Sequence, residues 1–171
     1  MRAVIQGAVA TALVLAAGQV SADTPATAAT VVTANDLMEA LKSAPSDQSE
    51  INKVVKGVAA PGEKISVDIN RRSGSEEGGV VHERVTEIYY IIQGGGTLLT
   101  GGTVVDPKPM KVGPDSSIGP SHRGTSITGG ESRHVSPGDV VVIPAGTPHM
   151  FSSLDNHGII IYSVIRIDPG H

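Results

Sequence analysis

Cysteine is absent from this 171-residue chain. Its absence excludes a disulfide framework, a thiolate metal site, a cysteine nucleophile and a lipid anchor on cysteine. Any metal ion that the protein binds must therefore have histidine, carboxylate or water ligands.

Aromatic residues are scarce, with one phenylalanine, three tyrosines and no tryptophan. A core must then be filled mainly by valine, isoleucine, leucine and alanine, and the β-branched share of these favours strands. The 21 glycines and 11 prolines cluster between short apolar runs, which is typical of an all-β fold. The length and the 39% hydrophobic content fit one domain better than two.

No basic stripe with interleaved aromatic residues is present. The formal charge is −4, from 13 basic and 17 acidic residues. Nucleic acid is therefore not expected as a partner, and a small molecule is the expected ligand.

Residues 1–22 have the pattern of a secretory signal peptide. Arg2 precedes a weakly apolar stretch, and Val20 and Ala22 suit cleavage after Ala22. Polar residues weaken the apolar stretch below what a membrane span requires. We therefore expect a secreted or periplasmic protein without stable membrane insertion after cleavage. A retained membrane anchor and a disordered cytoplasmic leader are the alternatives.

A flexible tether is expected over residues 23–32, because its Ala, Thr and Pro residues have little to bury. The folded domain then covers residues 33–171. Thr33 and Asp36 resemble a capping box, and the apolar residues that follow have helical spacing until Pro45. One short N-terminal helix is predicted.

Nine strand-length runs follow, separated by turn residues: 51–58, 64–70, 80–84, 87–93, 96–100, 132–135, 140–143, 149–153 and 158–167. In the second run Ile65, Val67 and Ile69 alternate with polar residues, so we expect Ser66, Asp68 and Asn70 to form a solvent-exposed face. Short strands without intervening helices favour a sandwich or a closed barrel. Residues 106–130 are predicted to form a long loop over one barrel mouth, either functional or mobile.

Three side chains with metal-ligand chemistry lie near predicted turns. His82 and Glu87 are five positions apart, and two adjacent strands would bring them together. His149 follows a turn rich in proline and glycine, at residues 144–148, that directs it back to the sheet.

At these positions the sequence resembles the cupin superfamily. The first family motif falls on Gly74, Val80, His82, Glu87 and Gly94, and the second on Gly138, Pro144, Gly146, His149 and Ser153. The resemblance implies an all-β fold, a single jelly-roll β-barrel, with metal ligands on neighbouring strands. This sequence differs from the family motifs at Val80, which replaces a histidine, and at Ser153, which replaces an asparagine.

The resemblance leaves His82, Glu87 and His149 as metal ligands. Two imidazoles and one carboxylate suit divalent iron, manganese, nickel or zinc, with open positions for water or substrate. His134 or His122 would be the replacement for the missing fourth ligand, although neither lies at a motif position. His157 and His171 are expected to be exposed turn and tail residues.

Two further residues are candidate catalytic groups. If the strand alternates, Tyr89 shares the face of Glu87 and its hydroxyl can donate a proton or contact substrate, or its ring can fill the core. Arg84 shares the face of His82 and can bind an anionic substrate or form a salt bridge at the rim.

Three functions remain open. The first is a metal-dependent enzyme acting on a small molecule, either an oxygenase or an isomerase or lyase. The second is a metal-free binding protein, whose cavity Val80 makes more apolar. The third is a structural role, since members of the superfamily commonly form homodimers through barrel edges.

Overall fold

The computed structural model describes residues 28–45, 48–74, 78–113, 117–156 and 158–169. Over these residues the elements in chain order are α1 (Ala34–Lys42), β1 (Glu50–Ala60), β2 (Glu63–Ser73), β3 (Val80–His82), β4 (Thr86–Gly94), β5 (Gly96–Thr100), β6 (Thr103–Val105), β7 (Lys108–Pro109), β8 (Ser121–Arg123), β9 (Ser126–Thr128), β10 (Glu131–Val135), β11 (Val140–Ile143), β12 (His149–Leu154) and β13 (Ile159–Asp168). The expected signal peptide, His157 and His171 lie outside the described residues. Of the expected tether, residues 28–32 are described and have no regular secondary structure.

Helix α1 begins with the predicted capping box. Thr33 Oγ1 accepts a hydrogen bond from the Asp36 amide at 3.2 Å, and Asp36 Oδ2 accepts one from the Thr33 amide at 2.8 Å. The helix ends at Lys42, before Pro45. Among the described residues, no helix has the length and hydrophobicity needed to cross a lipid bilayer.

Two antiparallel sheets form the jelly roll. The strand order is β1-β2-β13-β4-β11 in the five-stranded sheet and β10-β5-β12-β3-β8-β7 in the six-stranded sheet, and β6 pairs with β9 in a separate ribbon. Buried side chains from both sheets pack into one cluster, consisting of Tyr89, Ile91, Leu98, Val135, Ile143, Phe151, Ile160, Tyr162 and Val164. The predicted all-β class and jelly-roll architecture are confirmed.

The burial of β2 differs from the sequence prediction. Ser66, Asp68 and Asn70 were expected on a solvent-exposed face, but they are 7%, 0% and 2% exposed. These polar side chains point into the jelly roll, where Asp68 pairs with Arg166. The opposite face of β2 is covered by α1, in a second apolar cluster formed by Leu41, Ile51, Ile69 and Ile161.

Residues 106–130 do not form one long loop. The segment contains β7, β8 and β9, and β8 pairs with β3 on one side and β7 on the other. Strands of two or three residues bury too little to produce a recognisable alternation, and the glycines and prolines between them resemble loop sequence. This correction matters because β8 lies beside the strand that holds His82.

Gly94, one of the family-motif glycines, is required by the backbone. Its φ angle is 73°, and an added Cβ would lie 2.0 Å from the carbonyl oxygen of Ile159. Gly57 in β1 is a matched control, because nothing lies within 4 Å of its added Cβ.

We expect Gly94→Ala to lower the free energy of unfolding by about 2–4 kcal/mol, because backbone strain and overpacking each cost about 1–3 kcal/mol. Gly57→Ala should change it little. Urea denaturation of both variants measures the difference, and equal stabilities would contradict this account of Gly94.

Candidate metal centre

His82, Glu87 and His149 converge in the interior. Their side chains are buried, and the three potential ligand atoms lie within 4.8 Å of one another. Glu87 Oε1 is 3.6 Å from His82 Nε2, and Glu87 Oε2 is 3.1 Å from His149 Nε2. Adjacent strands were expected to supply His82 and Glu87. Instead β3 and β4 belong to different sheets, so the contact is made across the jelly roll.

A serine hydroxyl fixes the orientation of His82. Ser121 Oγ lies 2.7 Å from His82 Nδ1 and donates its hydrogen to the carbonyl oxygen of Ile118 at 2.8 Å. The carbonyl oxygen of Gly119 is a second acceptor, at 3.1 Å. With its single hydrogen directed at these carbonyls, the hydroxyl accepts from Nδ1. The proton of neutral His82 is therefore on Nδ1, and the lone pair on Nε2 faces Glu87.

A backbone carbonyl orients His149 in the same way. Its Nδ1 lies 3.0 Å from the carbonyl oxygen of Thr147, which can only accept, so Nδ1 bears a hydrogen. Nε2 then faces the Glu87 carboxylate at 3.1 Å. Two lone pairs at this distance repel each other, so the contact requires a cation between them, either a proton on Nε2 or a metal ion.

Electrostatics keep His82 and Glu87 in the protonation states that a metal site needs. Burial, the positive charge on His149 when it is protonated, Arg166 and Arg123 lower the pKa of His82 to about 4, although Glu87 opposes the shift. Burial alone would raise the pKa of Glu87, but hydrogen bonding and charge from His149, together with His82 and Arg166, hold that pKa well below its ordinary value. At neutral pH, His82 is therefore a neutral imidazole and Glu87 a carboxylate.

Both oxygens of Glu87 have further partners. Arg166 Nε donates to Oε1 at 2.7 Å, and the Tyr89 hydroxyl donates to Oε2 at 3.0 Å. Arg166 also pairs with the buried Asp68. Burial would lower the pKa of Arg166, but Glu87 and Asp68 raise it, so the guanidinium remains charged between two carboxylates.

The site opens into a cavity of about 60 Å³. Its lining includes the three candidate ligands and Tyr89, together with Glu50, Asn52, Asn70, Arg72, Val80, Met110, Ile118, Arg123 and Arg166. Val80, which replaces the first motif histidine, is directly opposite His149 in the β3–β12 pairing. A hydrocarbon side chain therefore occupies the position from which a fourth ligand would come.

The structure separates the other sequence candidates. Tyr89 lies at the site and is 3% exposed. Arg84 lies outside the cavity lining and pairs with Asp168 at 3.2 Å, which is the alternative role of a salt bridge at the rim. His122 pairs with Glu83 and His134 with Asp155, each at 3.0 Å, and neither belongs to the described group of potential ligands.

Sequence reasoning missed Ser121, Asp68, Arg166 and Arg123. Ser121 contacts His82 across 39 residues of sequence, through the unpredicted pairing of β8 with β3. Arg166 and Asp68 did leave a signal, because each is a charged residue within an apolar run. Two residues of opposite charge, each within a predicted strand of mostly apolar residues, predict a buried ion pair.

The donor set fits a divalent metal ion. Bonds of about 2.0–2.2 Å to nitrogen and oxygen place neighbouring ligand atoms about 3.0–3.5 Å apart. The separation of His149 Nε2 from Glu87 Oε2, 3.1 Å, lies in this range, and that of His82 Nε2 from Glu87 Oε1, 3.6 Å, is slightly above it. Both imidazoles have their Nδ1 hydrogen bonded to an acceptor, the arrangement that orients metal-binding histidines.

A family model described as Cupin matches residues 66–171, which is more than half of the chain. The chain belongs to the cupin family. The comparison of this cupin with curated protein sequences found no match.

Solved structures with a similar fold share little sequence with this cupin. Hydroquinone 1,2-dioxygenase from Sphingomonas sp. TTNP3, solved with 4-hydroxybenzoate bound, has TM-score 0.50 and 17% identity, covering 78% of this chain and 71% of that one. An uncharacterized protein with a double-stranded beta-helix domain from Klebsiella pneumoniae has TM-score 0.49 and 13% identity, covering 84% and 93%. DMSP lyase DddQ from Ruegeria pomeroyi DSS-3 has TM-score 0.38 and 19% identity, and the match covers 59% of this cupin but only 36% of the lyase chain. At these identities the likeness concerns the fold alone.

We expect Arg166→Met to lower the free energy of unfolding of the metal-free cupin by about 3–5 kcal/mol, because two buried carboxylates lose their counter-ion. Urea denaturation in the presence of a chelator measures the change. Arg133→Met is the control, since Arg133 pairs with Glu131 on the surface and its loss should have little effect. Equal unfolding curves for the two variants would show that Asp68 and Glu87 do not depend on Arg166.

Proposed function

We propose that this cupin is a metal-dependent enzyme that acts on a small molecule, with His82, Glu87 and His149 holding one divalent ion. The observation that supports this most strongly is the hydrogen bonding of the two imidazoles. Ser121 and the carbonyl of Thr147 both accept from Nδ1, so both Nε2 atoms are directed at the Glu87 carboxylate. A metal ion satisfies all three donor atoms at once.

An oxygenase is the favoured reaction class. Two histidines and one carboxylate with open positions are the donor set of non-haem ferrous oxygenases. A bound ion would supply Lewis acidity and, if it is iron, redox chemistry with dioxygen. Val80 has no donor atom, which leaves coordination positions available to substrate. An isomerase or lyase would use the same open positions through Lewis acidity alone.

The chain's own residues position the reacting groups. Arg166 and Tyr89 hold one Glu87 oxygen each, which fixes the plane of the carboxylate. The Tyr89 hydroxyl donates to Oε2 of that carboxylate and can redirect its single hydrogen to a substrate oxygen that enters the cavity. Buried walls limit the entry of water, which strengthens these interactions.

A metal-free binding protein is the second candidate. The specific observation in its favour is that Glu87 already has three protein partners, His149, Tyr89 and Arg166. A protonated His149 would satisfy the carboxylate without an ion. The cavity would then bind a small ligand by hydrogen bonds alone.

Metal content tests the proposal. Untagged protein purified without added metal should contain about one divalent ion per chain by elemental analysis, and His149→Ala should lose it because a ligand is removed. Ser121→Ala should bind metal about 10–100-fold more weakly in a competition titration, since the orientation of His82 is no longer fixed.

His134→Ala is the matched control, because His134 is exposed and pairs with Asp155. It should leave metal content and affinity unchanged. Wild-type protein that binds no ion, even when divalent metals are added, would favour the metal-free binding protein and would contradict the enzyme.

We also propose that the protein is exported with cleavage after Ala22 and forms a homodimer. The leader composition supports the first part. For the second, β11 is an edge strand of the five-stranded sheet, and its Val140 and Val142 are 62% and 61% exposed, so a second copy can cover them. Native mass spectrometry of exported protein should give twice the mass of a chain that begins at Asp23. A monomer mass would contradict the homodimer, and an uncleaved chain would contradict export with cleavage after Ala22.

A further inference from the structure

A row of directly opposed residues crosses the six-stranded sheet at the metal centre. His149 pairs with Val80, and Val80 pairs with Arg123. Residues directly opposite in antiparallel strands point to the same face of the sheet, with Cα atoms about 4.5–5.5 Å apart. Arg123 therefore projects toward the same interior as His149, beside the position where Val80 replaces a histidine, and it lines the cavity.

Arg123 differs from the other two arginines of the cavity. Arg72 pairs with Glu50 at 3.1 Å, and Arg166 pairs with Asp68 and Glu87. Within the described parts of the chain, no carboxylate lies at ion-pair distance from Arg123. Arg123 lines the cavity, and because no described side chain pairs with its guanidinium, those donors can serve a ligand.

The net charge of the site with a divalent ion bound would favour an anionic ligand. Three carboxylates balance three arginines around the cavity: Glu50, Asp68 and Glu87 against Arg72, Arg123 and Arg166. Both imidazoles are neutral when they act as ligands. A divalent ion at the centre would therefore leave a surplus of about two positive charges beside the buried His82, Glu87 and His149, and an anionic ligand would offset it.

The size and lining of the cavity limit the anion. Its volume of about 60 Å³ is small compared with ligand-binding clefts of about 300–1,000 Å³. Met110 and Ile118 form an apolar part of the wall. The cavity suits the carboxylate head of an organic acid, with its hydrocarbon part against those two side chains.

We propose that the substrate of this cupin is a small organic acid and that Arg123 binds its carboxylate beside the metal ion. The inference rests on the proposed metal-dependent function and specifies its substrate class. A guanidinium offers two parallel N–H donors to a carboxylate, which gives both affinity and orientation. Arg123 is thus assigned the anion-binding role that the sequence had offered for Arg84.

Ligand binding to the cobalt-loaded protein tests the assignment. Cobalt(II) replaces the native ion, and its visible absorption reports on ligands at the centre. Acetate and acetamide, which match in size but differ in charge, are titrated into wild type, Arg123→Gln, Arg123→Lys and Lys108→Gln. Lys108 is the control cation, because it is exposed and directly opposite Arg123 on β7.

We expect wild type to bind acetate at least about tenfold more tightly than acetamide, since a hydrogen bond to a charged group contributes this much or more. Arg123→Gln should abolish that preference with unchanged cobalt affinity, and Arg123→Lys should recover part of it. Lys108→Gln should stay within about twofold of wild type. Circular dichroism should show that all four proteins are folded.

Each of the other outcomes of these titrations would refute one part of the proposal. Equal affinity for acetate and acetamide in cobalt-loaded wild type would refute the organic-acid substrate and leave the metal site intact. If Arg123→Gln and Lys108→Gln lose the preference for acetate equally, then only the overall positive charge of the surface attracts the anion. That result would refute the role of Arg123. Failure of wild type to bind cobalt would refute the proposed function and this inference with it.

Discussion

The ion-pair network around Glu87 is the constraint on which the interior of this protein depends. Glu87 is 0% exposed, and a buried carboxylate without partners would be strongly destabilising. Its partners come from both sheets: Arg166 on β13 and Tyr89 on β4 belong to the five-stranded sheet, and His149 on β12 belongs to the six-stranded sheet. The same contacts that make the carboxylate tolerable therefore hold the two sheets in register at the site.

The interior is divided into an apolar part and a polar part. Apolar side chains such as Phe151 and Ile91 fill one region between the sheets, while Asp68, Asn70 and Arg166 occupy the other. Tyr162 lies at the boundary, because its ring packs 5.4 Å from that of Phe151 and its hydroxyl accepts a hydrogen bond from Arg72 at 2.8 Å. A chain with so few aromatic residues uses two of its three tyrosines to join a hydrocarbon core to a charged cavity.

Much of the fold and the centre of the site could be predicted from the sequence, because both depend on the spacing of residues that lie close together along the chain. Gly94, His82 and His149 lie at fixed distances from turns, so their positions follow from chain geometry. Ser121 could not be found in this way, since its contact with His82 depends on a three-residue strand within a region rich in glycine and proline. The error at β2 has a different cause. Alternation shows that two faces differ, but not which one is covered, and here the helix covers the apolar face while the jelly roll encloses the polar one.

The position of β13 has a consequence for biosynthesis. This strand, the last that the structure describes, lies in the middle of the five-stranded sheet and pairs with both β2 and β4. Until this strand is in place, the β1–β2 hairpin and the β4–β11 pair have no backbone partner to join them, and Glu87 lacks its guanidinium. Such long-range pairing is slow to form. Completion of the sheet and assembly of the charged interior are thus a single late event, and a nascent chain released before Arg166 would have neither.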